Sequence, residues 1–497
     1  MTSFFQNAPT RPHLALILAL LATSTALAQS AGSGSPATNS INTPRPFDPG
    51  QNTTNPSAFA VQSQNPFLGS VPTGSVVPGV MPLSLRAAVA LALRANLGFV
   101  DSEQEYKQSR AARIRALSLL LPQIRITSTE DYRNIIADSL GFQKLGEPQA
   151  IPAFNYQTAH VEYQQDLLDV RALYDVRAEA KEVEASKAAM SDAENIVVLA
   201  SLSSYLLAAA SQTRLETSKA ELATAVTAES LLQSRVKHEL SPEIDEIRAH
   251  VAMRSAELRV TLATTTLETD KLSLTRIIGL PAAQEFTLTD GLTFHEAPVI
   301  QLPELLSKAA DMRQDLKAAK MRLQAAEQTL KAQQAQHLPT INVRASAGET
   351  GVTYGGALRD YEVEGRISLP IFTGRRIESD IFNAKAVLAR RKAEAADTQA
   401  RTVYDVRAAL LDLAAASASV QVSTENRALA LQGLKQARDR FDAGVTNVVD
   451  LIQAQQAVAE AADNQVASVY AHDLAKLMLI RATGTAKQDY LKYLGAP

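Results

Sequence analysis

The side chains with the clearest potential for chemistry are charged residues in two similar segments, RVKHELSPEIDEIRAHVAM from residue 235 and RFDAGVTNVVDLIQAQQAV from residue 440. The first segment contains Arg235 and Asp245, and the second contains Arg440 and Asp450 at the matching positions. Arginine and aspartate can form ion pairs, but neither segment supplies a nucleophile or a set of metal ligands. Because each aspartate lies near the start of a predicted helix, a helix-capping or dipole-compensating role competes with a role in contacts between segments.

The rest of the chain lacks the residue patterns of catalytic and metal sites. It contains no cysteine and no tryptophan, and its seven histidines are scattered without the spacing of metal ligands. We find no glycine-rich phosphate loop, no HExxH pair and no nucleophile elbow. His160 is expected to be solvated rather than to contact a ligand. The sequence therefore predicts a protein that is not an enzyme and that has no cofactor.

The charge of the chain is nearly balanced. The 49 basic and 52 acidic residues give a formal net charge of −3. No large field would attract nucleic acid or an anionic membrane surface, so nucleic acid is not an expected partner.

The N-terminus has the three parts of a secretory signal peptide. Arg11 precedes an apolar stretch, LALILALLA, and a small-residue exit follows at Ala26-Leu27-Ala28. We therefore predict export, with residues 1–28 removed and a flexible leader, rich in Pro, Ser, Gly and Asn, at 29–82. We expect no later apolar run to reach the roughly 20 residues of a spanning helix, so any contact with a membrane is predicted to use strands.

Most of the remaining chain is Ala-rich, with few glycines or prolines, and is predicted to be helical. Segment 170–236 contains neither residue type, and 375–443 contains only Gly433. At 1.5 Å per residue, each of these two helices would be about 100 Å long, and lateral packing must stabilise them. The predicted helices are 83–121, 170–236, 243–278, 304–337, 375–443 and 445–483.

Self-comparison predicts an internal duplication. An offset of 205 residues, 440 minus 235, aligns the two charged segments and continues without a gap to Gly279 and Gly484. An earlier Leu-Pro landmark repeats at 121 and 338, an offset of 217. The surplus of about a dozen residues in the first half falls between Tyr132 and Phe154.

Each half also contains two stretches with a period of two, which is typical of strands. They lie around 124–127, 159–167, 341–348 and 362–371, and each has one apolar and one polar or charged face. Aromatic residues flank them: Tyr132, Tyr156, Tyr361 and Phe372. From alternation alone, a soluble sheet on a protein core fits as well as strands in a membrane. Four strands cannot close a barrel, so strands in lipid would require several copies of the chain to pool them.

The motifs LSLRAAVALALRANL, LLPQIRI, HLPTINV and ISLPIFTGRR, with the two charged segments, resemble the TolC-like outer membrane efflux proteins over Leu83 to Gly484. The resemblance implies a mainly α fold with a membrane β-barrel portion. It implies a homotrimer whose four strands per protomer form a 12-stranded barrel in outer-membrane lipid. A long antiparallel α-helical barrel would continue this barrel into the periplasm of a two-membrane bacterium. The resemblance further implies a passive duct that works with a periplasmic adaptor (membrane fusion) protein and an inner-membrane pump.

In such proteins the two helical turns form the periplasmic tip, which carries the gate and the adaptor contacts. The corresponding residues here are Arg235, Glu239, Leu240, Asp245, Arg440, Phe441, Gly444, Val445, Thr446 and Asp450. Gly444 suits a left-handed helix cap, whereas Glu239 takes the matching position in the first turn. Phe441 and Thr446 replace the tyrosine and arginine of the family's closed-state lock. The tip is therefore expected to rest more open or to close through Arg440 or Arg438 with Asp442, Asp450 or Asp245.

The predicted organisation is a first repeat at 83–281, a linker at 282–301, a second repeat at 302–484 and a tail at 485–497. The competing interpretation is an exported soluble coiled-coil structural or adaptor protein, because Ala-rich antiparallel helices serve many scaffolds. Four strands of membrane-crossing length argue against it. Within channels, small-molecule efflux and type I protein secretion stay open, since the inner-membrane partner decides between them.

Overall fold

The computed structural model describes residues 65–72, 75–136, 150–298 and 300–495. The predicted signal peptide, residues 29–64 of the predicted leader and the surplus residues 137–149 lie outside the described residues.

The helices follow the order predicted from the sequence. They are α1 (Leu85–Ala95), α2 (Leu97–Ser118), α3 (Val170–Lys237), α4 (Glu243–Ile278), α5 (Leu302–Met312), α6 (Gln314–Ala335), α7 (Arg376–Asp442), α8 (Val448–Ala482) and α9 (Ala486–Leu494). Helices α3 and α7 contain 68 and 67 residues, which confirms the two very long helices. Helix α9 was not predicted, because it lies in the segment assigned to the tail.

Two predicted helices are each divided by a single extended residue. Asn96 separates α1 from α2 at φ −65° and ψ 129°. Its side-chain amide donates to Phe67 O at 2.8 Å, and its Oδ1 accepts from Gly98 N at 3.0 Å. Arg313 separates α5 from α6 in the same way, at φ −66° and ψ 117°. The single helices predicted at 83–121 and 304–337 are therefore wrong at these two points.

Strands β2 (Gln123–Ile136), β3 (Ala150–Leu168), β5 (Thr340–Gly351) and β6 (Leu358–Ser368) form one antiparallel sheet in the order β2-β3-β5-β6. The four strands predicted from alternation are thus confirmed, and β3 is longer than expected at 19 residues. Strands β2 and β6 are the two edges, so the two halves of the chain meet at the central pair β3 and β5.

A second, smaller sheet joins the leader to the predicted linker. Strands β1 (Met81–Leu83) and β4 (Phe286–Leu288) pair in parallel. Phe67, further back in the leader, is buried. The described end of the leader thus packs against the helices, which differs from the flexible segment expected from its composition.

The long helices form a repeated pattern of neighbours. Near the strands, α3 contacts α2 and α6, and α6 contacts α7; towards the turns, α3 contacts α4 and α8, and α8 contacts α7. The main core lies where α1, α5 and α9 pack against the long helices, around Val197, Tyr205 and Leu477.

The expectation that no later helix is apolar enough to cross a membrane is wrong for one helix. Helix α3 passes the test of length and composition, but 61% of its apolar window is buried inside the protein. This burial is typical of a core helix.

Candidate functional site at the helical turns and the sheet

The first turn, between α3 and α4, is held by a pair of backbone hydrogen bonds. Leu240 N donates to Arg235 O at 2.8 Å, and Glu239 N donates to Val236 O at 2.9 Å. This is a Schellman motif, which requires a left-handed residue after the helix. Glu239 takes that position with φ +56°.

The second turn, between α7 and α8, has the same hydrogen bonds. Val445 N donates to Arg440 O at 3.0 Å, and Gly444 N donates to Phe441 O at 3.0 Å. Gly444 has φ +73°, as expected for a left-handed cap. The apolar side chains that end the two turns, Leu240 and Val445, are 74% and 69% exposed.

The two aspartates of the charged segments have local partners. Asp245 Oδ1 lies 3.5 Å from an arginine nitrogen of Arg248, one turn along α4. The Thr446 hydroxyl donates to Asp450 Oδ2. Both carboxylates lie in the first turn of a helix, where the helix dipole favours negative charge. This placement supports a dipole-compensating role for both carboxylates, whereas the side-chain cap of α8 is Asn447, which accepts from Val449 N and Asp450 N.

Arg235 connects the two turns. Its guanidinium carbon lies 4.5 Å from the centre of the Phe441 ring, and one of its nitrogens donates to Phe441 O at 3.4 Å. Another nitrogen lies 3.7 Å from Asp442 Oδ1. Phe441 is buried in a small apolar cluster formed by the ends of all four helices, which also contains Leu232, Ala249, Val448 and Leu451.

The structure thus brings together Arg235, Phe441 and Asp442, a set that the sequence did not predict. Within one chain, the described residues contain no ion pair from Arg440 or Arg438 to Asp442, Asp450 or Asp245. Arg440 is exposed. The sequence offered one signal for this contact, the matching of Arg235 with Arg440 in the two segments. Of these two arginines, Arg235 is the one that contacts the phenylalanine of the other turn among the described residues.

A cleft of about 570 Å³ runs beside the turns between α3, α4 and α8. Its walls are largely apolar and include Ile247, Val251 and Ile452, and Glu221 and Arg259 lie among them. Burial raises the pKa of Glu221, while Arg259 at 3.5 Å opposes this shift. A cleft with apolar walls and a few charges can receive an apolar helix face or an extended apolar side chain.

The polar face of the large sheet carries cross-strand rows of charged side chains. In one row, His160 of β3 reaches across Gly348 of β5 to Asp360 of β6, at 3.0 Å from Nε2 to Oδ1. Its side chain is 18% exposed, so the expected solvated histidine is instead paired with a carboxylate. An adjacent row aligns Arg125, Glu162, Ser346 and Glu362.

The opposite face of the sheet is apolar and exposed. Ile126, Val363 and Ile367 are 79%, 73% and 73% exposed. Tyr132 and Tyr361, near the strand ends distant from the helices, are 75% and 84% exposed. A face of this kind on a soluble protein would need a cover.

The described residues contain no group of three His, Asp or Glu side chains arranged to hold a metal ion.

Residues 305–485 match the family model described as outer membrane efflux protein. The chain is 29% identical over 180 residues to the outer membrane efflux protein BepC of Brucella suis, covering 35% of this chain and 39% of that protein. It is 24% identical over 256 residues to the protein CyaE of Bordetella pertussis, covering 50% and 54%. The matches thus span about half or less of the length of these relatives.

The fold is shared with solved outer-membrane proteins. The outer membrane protein VceC of Vibrio cholerae aligns with a TM-score of 0.69 at 20% identity, covering 80% of this chain and 96% of that chain. The CmeC outer membrane channel of Campylobacter jejuni aligns with a TM-score of 0.72 at 16% identity, covering 86% and 94%.

Proposed function

We propose, from the confirmed resemblance to the TolC-like outer membrane efflux protein family, that this chain is one subunit of a passive exit duct. The duct crosses the outer membrane through its strands and extends into the periplasm through its helices. It serves as the outer-membrane channel of a tripartite efflux or type I secretion system.

One observation carries this proposal. The β2-β3-β5-β6 sheet has an exposed apolar face, a charged face and two edges, β2 and β6, that pair with no other strand of the described residues. In lipid, each unpaired backbone group costs several kcal/mol, so an open four-stranded sheet is not stable there. Copies of the same sheet joined edge to edge would pair β6 of one chain with β2 of the next. The apolar faces would then meet lipid, and the charged faces would line a wet lumen.

Three copies would give a 12-stranded barrel, which is within the range of membrane β-barrels. The proposal includes an internal duplication with repeats at 83–281 and 302–484. Its support is the repeated order of helix, helix, strand, strand, long helix, helix. Asn96 and Arg313 are 217 residues apart, like the two Leu-Pro landmarks, and the left-handed Gly279 and Gly484 are 205 residues apart, like the two charged segments.

The helical turns are proposed as the gate and as the contact site for a periplasmic adaptor. Arg235, Phe441 and Asp442 would hold the turns of one chain together, in place of the lock that Thr446 and Phe441 cannot form. The exposed Leu240 and Val445 and the adjacent cleft would receive the adaptor. The sequence has no energy-coupling motif, so an inner-membrane pump would have to drive transport.

The test is single-channel conductance of detergent-extracted full-length protein in a planar bilayer, with the oligomer mass measured in the same preparation. The proposal predicts discrete conductance steps from a trimer. A water-soluble monomer or dimer that never inserts would overturn it in favour of a soluble coiled-coil protein.

A further inference from the structure

The two long helices match each other residue by residue. An offset of 205 places buried residues of α7 on buried residues of α3 along much of their length. The matched pairs are Ile377 with Ala172, Thr402 with Val197, Val406 with Ser201, Ala409 with Ser204, Leu413 with Ala208 and Val420 with Leu215. The same side of each helix therefore faces the protein.

The same offset matches α8 with α4. Asp473 and Lys476 form a buried ion pair at 2.7 Å in α8, whereas the matching Glu268 and Lys271 form an ion pair at 3.1 Å that is open to solvent in α4. The α8 side chains are 4% and 0% exposed, whereas those of α4 are 61% and 22% exposed. The surface of α8 that is covered within the chain is thus open on α4.

The two halves of the chain are joined by an ion pair between α3 and α8. Two guanidinium nitrogens of Arg481 each lie 3.1 Å from one carboxylate oxygen of Asp192. Only the contact to Oδ2 has hydrogen-bond geometry. Their side chains are 14% and 15% exposed. Helices α3 and α8 are the central pair in the order α4-α3-α8-α7, and this ion pair crosses between them.

At the offset of 205 residues, Asp192 matches Asp397 of α7, and Arg481 matches Arg276 of α4. Helices α7 and α4 are the two outer helices of this order. Arg276 is exposed and has no ion pair among the described residues. Within the part of the chain that the structure describes, Asp397 pairs only with Arg401, one turn away, and both side chains are more than half exposed. Such an exposed pair contributes at most about 1 kcal/mol, so a new partner can replace it.

Apolar side chains beside these charges show the same contrast. On α7, Tyr404 and Leu411 are 71% and 72% exposed, whereas the matching Leu199 and Leu206 of α3 are each 5% exposed. On α4, Leu272 is 55% exposed, whereas the matching Leu477 of α8 is fully buried. The outer faces of α4 and α7 therefore resemble a helix interface that lacks its other half.

We infer that α4 of one chain packs against α7 of a second copy, and that Arg276 of the first pairs with Asp397 of the second. This contact repeats between copies the one that α3 and α8 already make within a chain. The inference rests on the proposed function, because it requires the chain to assemble. It assigns the surface and the charges through which successive copies join around the helical part.

Cross-linking tests the contact, since the chain has no natural cysteine. The test variant carries Arg276→Cys with Asp397→Cys, and the matched control carries Asp192→Cys with Arg481→Cys. Each full-length protein, extracted in detergent, is treated with a short bismaleimide. We expect covalent species of two and three chains from the test variant. The control should lose its free thiols and keep the mass of one chain.

Two results separate this inference from the proposed function. A trimer by mass whose test variant forms no inter-chain link, while the control reacts within the chain, overturns the inference and leaves the channel intact. A monomer by mass overturns both.

Charge reversal gives a second measurement that does not depend on cross-linker reach. Arg276→Asp or Asp397→Arg alone should lower the trimer fraction several-fold at low salt, and the double reversal should restore most of it. Equal losses in the single and double variants would also overturn the pairing.

Discussion

Glu239 and Gly444 occupy the same left-handed position in two helix ends with matching hydrogen bonds. The two turns therefore share one backbone geometry, although only the second has the residue that suits it. A side chain at positive φ places its Cβ close to the following carbonyl group and destabilises the turn by about 1 kcal/mol. The first turn keeps this strain because the hydrogen bonds to Arg235 O and Val236 O require that backbone.

Glu239→Gly is accordingly expected to stabilise the end of α3 by about 1 kcal/mol, which corresponds to roughly fivefold slower amide exchange. Hydrogen exchange of the amides of Glu239 and Leu240 measures this effect. Gly444→Ala is the reciprocal control and should speed exchange in the second turn by a similar factor. Faster exchange in Glu239→Gly would mean that the glutamate side chain, and not the backbone, holds the first turn.

Arg235→Gln is expected to loosen the contact between the two turns. It removes the stacking on Phe441 and the ion pair to Asp442, which together contribute about 1 kcal/mol at this partly exposed site. We expect roughly fivefold faster exchange at Gly444 and Val445, and a higher open fraction of the reconstituted channel.

Arg440→Gln is the matched control, since Arg440 has the same place in the second turn and is exposed without an ion pair among the described residues. It should change neither exchange nor conductance. Equal effects from both variants would contradict a specific role for Arg235 and would indicate that total positive charge at the turns matters.

Patterns that extend over many residues predicted most elements of the fold. The long helices follow from Ala-rich segments with few glycines or prolines, the four strands from a period of two, and the two matching turns from the constant offset of 205. The breaks at Asn96 and Arg313 were missed because neither residue is glycine or proline. Each break depends on tertiary bonds, such as the one from Asn96 to Phe67 O.

Contacts between residues distant in sequence were also missed. The pairing of β1 with β4 joins two three-residue strands, which are too short to show a period. Arg235 and Phe441 are 206 residues apart, and no local pattern links a cation to a ring at that distance. Nothing in the spacing of His160 indicated Asp360, because the row of the sheet that joins them depends on the register of three strands.

The stability of the helical part is expected to depend on pH through Asp315. Burial alone would raise the pKa of Asp315, but two hydrogen bonds from Arg313, at 3.0 and 2.6 Å, hold it below its ordinary value. A lowered pKa stabilises the folded state fully above the unfolded pKa of about 4, and this contribution is lost as the pH falls through the lower pKa of the folded state.

Asp315→Asn should therefore lower the unfolding temperature clearly at pH 7 and much less at pH 3. At pH 7 the loss corresponds to about 3 kcal/mol, because Arg313 is almost fully buried and keeps only Asp405 as a partner. Asp311→Asn, at an exposed position on α5, is the control and should have little effect at either pH. If the unfolding temperature of Asp315→Asn differs from that of the natural protein by the same amount at pH 7 and pH 3, the charge of Asp315 is not responsible for the stabilisation.

Gly348→Ala is expected to disturb the charged face of the sheet. A Cβ at this position would lie 2.1 Å from Ala159 O and 2.6 Å from the His160 ring, so the backbone and the histidine must both move. We expect a loss of about 2 kcal/mol and separation of His160 from Asp360. The thermal stability of the extracted oligomer and its single-channel conductance measure the two effects.

Gly365→Ala is the matched control on the neighbouring strand β6, where a Cβ would meet no atom within 4 Å. It should leave the oligomer as stable as the natural protein, because the added methyl group enters open space. His160→Asn in the natural background separates the steric effect from the loss of the pair, since it removes the imidazole without crowding Ala159. If Gly348→Ala is no more destabilising than Gly365→Ala, β3 and β5 do not approach each other in this row as closely as the structure indicates.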